Sequence, residues 1–124
     1  MDMRVRRVIM SMEERLCHDV PLGKLAESLN ISESRLRHLF KASTGSSPKE
    51  YLQSLRLRRA EELLCTTFLS IKEIRISVGI VDGSNFIRHF KKVYGTTPLE
   101  YRLMRRETRD GDHPGPGDGA ASAV

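Results

Sequence analysis

The feature that most limits how this chain can fold is that its first half is written again, in altered form, in its second. Leu25-Ala26-Glu27-Ser28-Leu29-Asn30-Ile31 lines up with Ile74-Arg75-Ile76-Ser77-Val78-Gly79-Ile80 at an offset of 49 residues. Leu36-Arg37-His38-Leu39-Phe40-Lys41 lines up with Phe86-Ile87-Arg88-His89-Phe90-Lys91 at an offset of 50, so one residue has been added in the turn between the two blocks. Gly45, Pro48, Glu50 and Tyr51 are then answered by Gly95, Pro98, Glu100 and Tyr101. Two copies are too few for a solenoid, which stacks at least three units. The chain is a pseudo-duplicated domain.

Between the copies lies Ser47 to Thr66, which reads as one long helix. Ser47 is a good N-cap, Pro48 suits the first helical position, and Glu50 can reach back as a capping box. Leu52, Leu55, Ala60, Leu63 and Leu64 are expected on one side, with Arg56, Arg58, Glu61 and Glu62 filling most of the rest. Such a helix is a strut of about 27 Å.

Helical signals fill the remainder. Met3 to about His18 places Val5, Val8, Ile9, Met12 and Leu16 on one stripe. Leu22 to Leu29 follows Pro21 without a Ser or Thr cap and is expected to be the least well-started helix. Ser32 caps a third helix, Glu33 to about Ser43, stopped before Gly45. Ser70-Ile71-Lys72-Glu73 is a capping box opening Ile71 to Val78, and Asp82 caps Gly83 to about Val93. Thr97-Pro98-Leu99-Glu100 starts a last helix to about Arg106. Residues 107–124, rich in Gly, Pro, Asp and Ala without periodicity, are expected to be a disordered tail. The expected fold class is all-α: seven helices, with subdomains at 1–46 and 67–106 joined by the 47–66 helix.

A short helix, a tight turn and a second helix form the helix-turn-helix pattern, whose second helix enters a DNA major groove. At about 100° per residue, Leu36, Leu39 and Phe40 face inward, and Ser34, Arg37, His38 and Lys41 face out. In the second copy Phe86 and Phe90 face inward with half-buried His89 beside them, and Ser84, Ile87, Arg88, Lys91 and Lys92 face out. Both outer faces are cationic. Arg37 can contact guanine O6 and N7 in a bidentate manner, and Ile87 can touch a thymine methyl group. Arg35, Lys41, Lys91 and Lys92 suit phosphate. The bland alternative for these residues is the solvent side of two amphipathic helices.

The charge balance favours a phosphate-rich partner or an anionic membrane, although a charge run alone is more often only a solvated surface. Residues 1 to 106 hold 20 Lys and Arg against 12 Asp and Glu, a net of +8. Cys17 and Cys65 are 48 residues apart with no metal-ligand pattern around them, and are expected as reduced thiols in a cytoplasmic protein. His18, His38, His89 and His113 show no pairing with acids or cysteines that would build an acid-base or metal site. The expectation is no enzyme, no cofactor and no metal. Neither a signal-peptide core nor a transmembrane run is present.

The pattern Arg56-Leu57-x-x-Ala60-x-x-Leu63-Leu64, Ser70-Ile71-x-Glu73-Ile74, Val78-Gly79, Asp82, Ser84, Phe86, Arg88, Phe90-Lys91-Lys92, Gly95, Thr97-Pro98, Tyr101-Arg102 resembles the DNA-binding domain of the AraC/XylS family of bacterial transcription regulators. The resemblance covers about Arg4 to Arg106. It implies two helix-turn-helix units bridged by a long helix, with recognition helices at about 33–43 and 83–93 in successive major grooves of double-stranded DNA. Carried onto matching positions, Ser34, Arg37 and His38 are the base-facing residues of the first unit, and Gly83, Ser84, Asn85 and Arg88 those of the second.

Two departures stand out. The family usually has a small residue where Arg75 stands, so a long cation there must snorkel outward or the helix pair must open. It usually has Phe where Ile80 stands. Because Gly83 and Ser84 bring little side chain to a groove, the first unit is expected to carry more of the specificity and the second more phosphate anchoring. The family's separate sensor domain has no counterpart in this sequence, which leaves a naturally short regulator or a piece of a longer one. The expected mode is a monomer on an asymmetric site, with no small-molecule ligand and with DNA bending that costs about 1–6 kcal/mol. A second reading is a protein-interaction module that touches RNA polymerase or another regulator.

Overall fold

The computed structural model describes residues 1–110, with side chains for 1–106. Among the described residues seven helices follow one another: α1 (Met3–Glu14), α2 (Leu22–Ser28), α3 (Glu33–Thr44), α4 (Pro48–Thr66), α5 (Ile71–Ser77), α6 (Gly83–Tyr94) and α7 (Pro98–Asp110). Among the described residues there is no strand. The chain divides into two units between Arg58 and Arg59, inside α4.

In the first unit, Val5, Val8 and Met12 of α1, Leu22 and Ala26 of α2, Leu36 and Phe40 of α3, and Leu52 of α4 form one buried cluster. Phe40 meets Tyr51 edge-on, with ring centroids 5.3 Å apart. In the second unit the buried set includes Ala60, Leu64, Ile74, Val78, Phe86, Phe90 and Tyr101. Phe90 meets Tyr101 edge-on at 5.4 Å, the same pairing fifty residues on.

The repeat is therefore one of packing as well as of letters. Gly45 and Gly95 close α3 and α6 in the left-handed region, at φ 84° and 86°, and each N–H donates to the carbonyl four residues back, Lys41 or Lys91, at 2.8 Å. Gly is favoured at such a C-terminal stop because a Cβ is strained there. The capping boxes recur too: Ser47 and Thr97 exchange hydrogen bonds of 3.0–3.2 Å with Glu50 and Glu100. As expected, α2 starts at Pro21 with no side-chain cap.

These caps make a prediction. Backbone N–H donation from Ser47 and Thr97 holds the Glu50 and Glu100 carboxyls below the ordinary glutamate range. Hydrogen bonding to Arg4 lowers Asp2, at the start of α1, to about 2. A depressed folded-state pKa stabilises the fold above the unfolded value and loses that contribution as pH falls through the folded one. Thermal midpoints should decline as pH drops below about 4.3. A Glu50→Gln, Glu100→Gln protein should decline less steeply; equal slopes for both would show that the caps are not responsible.

Four expectations are corrected, the first three by long-range packing. First, α1 stops at Glu14 rather than near His18, because the chain turns and the Leu16 carbonyl accepts from Arg56 Nε at 2.8 Å. Second, α4 carries no single apolar stripe. Tyr51, Leu52 and Leu55 pack on the first unit's cluster, whereas buried Leu57, Ala60 and Leu64 lie on roughly the opposite side of the helix. The first half of α4 plays the part that α7 plays in the second copy. Its second half repeats the Val5-Val8-Met12 spacing of α1.

Third, two charged residues of α4 expected among the outward ones are engaged. Arg56 reaches back to Leu16 and lies 3.6 Å from Asp19, and Glu61 accepts from the Tyr101 hydroxyl at 2.5 Å. Fourth, α7 continues to Asp110, since no helix breaker occurs before Gly111. The rest of the tail expected over 107–124 lies outside the described residues.

Candidate nucleic-acid interface

Each recognition helix is set by its cap and its core contacts. The Ser32 hydroxyl accepts from the Arg35 N–H at 3.0 Å and starts α3, and the Asp82 carboxylate accepts from the Asn85 N–H at 3.1 Å and starts α6. Leu36 and Phe40 anchor one helix and Phe86 and Phe90 the other, all of them buried. With the inward faces fixed, the outward ones are fixed too.

On α3, Ser34, Arg37, His38 and Lys41 are all exposed and form the expected stripe, with Arg35, also exposed, to one side of it. Arg37, His38, Lys41 and Ala42 line a depression of about 390 Å³ that continues onto Ser47 and Pro48. On α6, Ser84, Ile87, Arg88 and Lys91 occupy the same register fifty residues on, all exposed, with Asn85 and Lys92 flanking them. Ile87 is 44% exposed. His89 is half-buried, as expected for a packing residue, and Gly83 is half-buried at the start of the helix. The structure brings Ser34, Arg37, His38 and Lys41 onto one face of α3 and Ser84, Ile87, Arg88 and Lys91 onto the matching face of α6, with Arg35, Gly83, Asn85 and Lys92 at the edges.

Two further residues belong to this surface, and only the first of them was not singled out by the sequence. Glu33, the first residue of α3, accepts from Arg37 Nη2 at 2.6 Å. Its other carboxylate oxygen stands 3.1 Å from where a Cβ on Gly23 would lie, so the carboxylate lies close to the start of α2 while it holds the Arg37 guanidinium. An acid four residues before a base on a helix is the signal that could have found it. The second is Arg75. Of the two alternatives expected for it, snorkelling is the one seen: its Nη1 donates to the carbonyls of Ile80 and Val81 at 2.9 and 2.5 Å.

A cationic, polar stripe on the second helix of a helix-turn-helix unit, present twice in the same register, is the arrangement that reads DNA major grooves. Comparison with known proteins agrees. The helix-turn-helix domain family matches residues 25–104. The msm operon regulatory protein of Streptococcus mutans is 41% identical over 81 residues, 65% of this chain and 29% of its own length. A transcriptional regulator from Chromobacterium violaceum, described as having an AraC-type DNA-binding domain, superposes with a TM-score of 0.73 at 29% identity, over 82% of this chain and 91% of its own. The chain belongs to the AraC/XylS family.

The DNA-binding domain of AdpA, described as a global transcriptional factor and solved in complex with a target DNA, has a TM-score of 0.77 at 26% identity, over 88% of this chain and 98% of that one. The resemblance read from the motif is thus borne out: the chain has the fold of an AraC/XylS DNA-binding domain. The chain spans between 11% and 35% of the length of curated relatives such as these. Among the described residues no helix is long and apolar enough to cross a membrane.

Proposed function

We propose that this AraC/XylS domain reads an asymmetric double-stranded DNA site as a monomer, inserting α3 and α6 into successive major grooves with α4 as the link. The observation that carries this reading is the repeated exposed stripe: Ser34, Arg37, His38 and Lys41 on α3, and Ser84, Ile87, Arg88 and Lys91 on α6. A duplicated reading helix gives one chain two short half-sites without a dimer axis. In related binders a two-fold axis would instead impose a palindrome.

Within each stripe the roles divide by chemistry. Arg37 and His38 present directional hydrogen-bonding groups to base edges, and Ser34 near the helix tip permits close approach. Arg88 supplies the second unit's principal donor, with Asn85 beside it, and Ile87 offers an apolar contact. Gly83 and Ser84 add little reach. Arg35, Lys41, Lys91 and Lys92 neutralise phosphates and fix register. The first unit therefore contributes more sequence discrimination, and the second more anchoring.

The test is selection from a random-sequence duplex pool, followed by titration of the selected sequences at two salt concentrations. The expected result is an asymmetric site with two short blocks about one turn apart. Affinity should fall with salt at a log-log slope of about −0.9 per phosphate neutralised. Salt-sensitive binding that enriches no sequence would overturn the reading and leave a domain directed by a protein partner. Enrichment of a palindrome bound at two chains per site would overturn the monomer.

A further inference from the structure

The two copies differ most at the turn inside each helix-turn-helix unit. In the first, α2 ends with Asn30 in the left-handed region at φ 60°, and the Ile31 N–H donates to the Ala26 carbonyl at 3.1 Å. In the second, Gly79 at φ 87° takes the place of Asn30, and the Ile80 N–H donates to the Arg75 carbonyl at 3.0 Å. The two helix stops are equivalent. Between that stop and the cap of the next helix, however, the second copy has Val81, which the first lacks.

Val81 gives the longer turn no packing of its own, since it is 89% exposed. What crosses the turn is Arg75. It stands where the first copy has buried Ala26, and its Nη1 donates to the carbonyls of both Ile80 and Val81. Its Nε lies 3.5 Å from where a Cβ on Gly83 would stand, so the guanidinium is laid against the first residue of α6. Residue 80 is bracketed by one side chain and its own backbone: the Arg75 carbonyl receives its N–H, and the Arg75 guanidinium donates to its C=O.

We propose that Arg75 is a positioning residue for the second recognition helix. It ties down the one-residue insertion and so fixes where α6 begins and how its outward residues meet DNA, without contacting a base itself. The inference rests on α6 being a reading helix, and its test separates the two claims.

Wild type, Arg75→Ala, Arg88→Ala, and a protein combining Arg75→Ala with deletion of Val81 are each put through selection from the same random-sequence duplex pool. Amide hydrogen exchange is followed alongside at Val81, Asp82, Gly83 and Asn85. Arg88→Ala identifies the block read by α6. Arg75→Ala should speed exchange at those four amides and flatten the preference in that block by about tenfold, within the range for one lost base contact. The block read by α3 should be unchanged.

The combined variant, which restores the alanine and the turn length of the first copy, should recover slow exchange and much of the preference. Recovery also answers the case in which Arg75→Ala alone leaves the second unit unfolded. The proposal is overturned if Arg75→Ala leaves the block intact while Arg88→Ala flattens it. It is equally overturned if Arg75→Ala weakens binding to all sequences alike and reduces the salt slope by about one, which would make Arg75 a phosphate contact. If Arg88→Ala flattens no block, it is the reading of α6 itself that fails.

Discussion

An Arg37→Ala protein is expected to lose discrimination at one base pair by about 1–3 kcal/mol, roughly 5- to 150-fold, and to keep its preferences elsewhere in the site. The guanidinium projects from the exposed stripe of α3, and its Nη2 is held at 2.6 Å by Glu33. Both partners are about half exposed, with side-chain exposures of 54% and 47%. Such a pair is worth at most about 1 kcal/mol in the free protein, so opening or rotating it on DNA costs less than a bidentate contact to guanine returns. Lysine cannot reproduce the planar fork, so Arg37→Lys should retain much of the affinity and little of the discrimination. Lys41→Ala is the control: a phosphate contact should weaken all sequences alike and lower the salt slope by about one. Binding titrations on a selected site and its single-base variants measure all three. If Arg37→Ala behaves like Lys41→Ala, Arg37 anchors and does not read.

Most of the fold was legible because local signals agree with each other along this chain. Ser32, Ser70 and Asp82 each accept from the N–H three residues on, where the cap pattern placed them, and Gly45 and Gly95 stop their helices in the left-handed region. What was illegible depends on long-range partners. Arg56 looked like a solvent residue, yet it reaches forty positions back to the Leu16 carbonyl. The two buried faces of α4 were merged into one because a periodicity scan presumes that a helix serves one core, and this one serves two successive clusters. Site residues were easier to place than their supports. Ser34, Arg37, His38, Ser84, Ile87 and Arg88 follow from helical phase once Leu36, Phe40, Phe86 and Phe90 are recognised as core, whereas Gly83 and Asn85 rest on the family resemblance. The closeness of Glu33 to Gly23 depends on how nearly two helices approach, and the length of an inserted turn does not say which side chain will hold it.

An Arg102→Leu protein is expected to lose about 2–3 kcal/mol of stability in the second unit, although leucine is what the first copy uses at the matching position, Leu52. Both residues are buried, at 7% and 6% exposure. Leu52 packs into an apolar cluster. Arg102 instead donates from Nε to the Leu64 carbonyl at 3.1 Å and from Nη2 to the Thr67 carbonyl at 3.3 Å. These carbonyls lie at and just beyond the end of α4, where helix geometry leaves acceptors without intrahelical partners and the dipole favours a cation. Leucine can supply apolar volume but no donor, and a backbone acceptor cannot be mutated away to match it. Leaving a buried acceptor unmet costs about 1–3 kcal/mol, and the lost charge-assisted bonds place the change in the upper part of that range. Arg106 Nη2 also donates to Thr67, at 3.1 Å, so Thr67 stays served in Arg102→Leu while Leu64 does not. Arg106→Ala alone should therefore be mild, and adding it to Arg102→Leu should cost more than the two single losses summed. For a domain of this size the thermal midpoint should fall by roughly 10 °C or more, read by calorimetry or circular dichroism. A change within about 0.5 kcal/mol, the usual span for an ordinary surface substitution, would mean that water serves the end of α4 as well as Arg102 does.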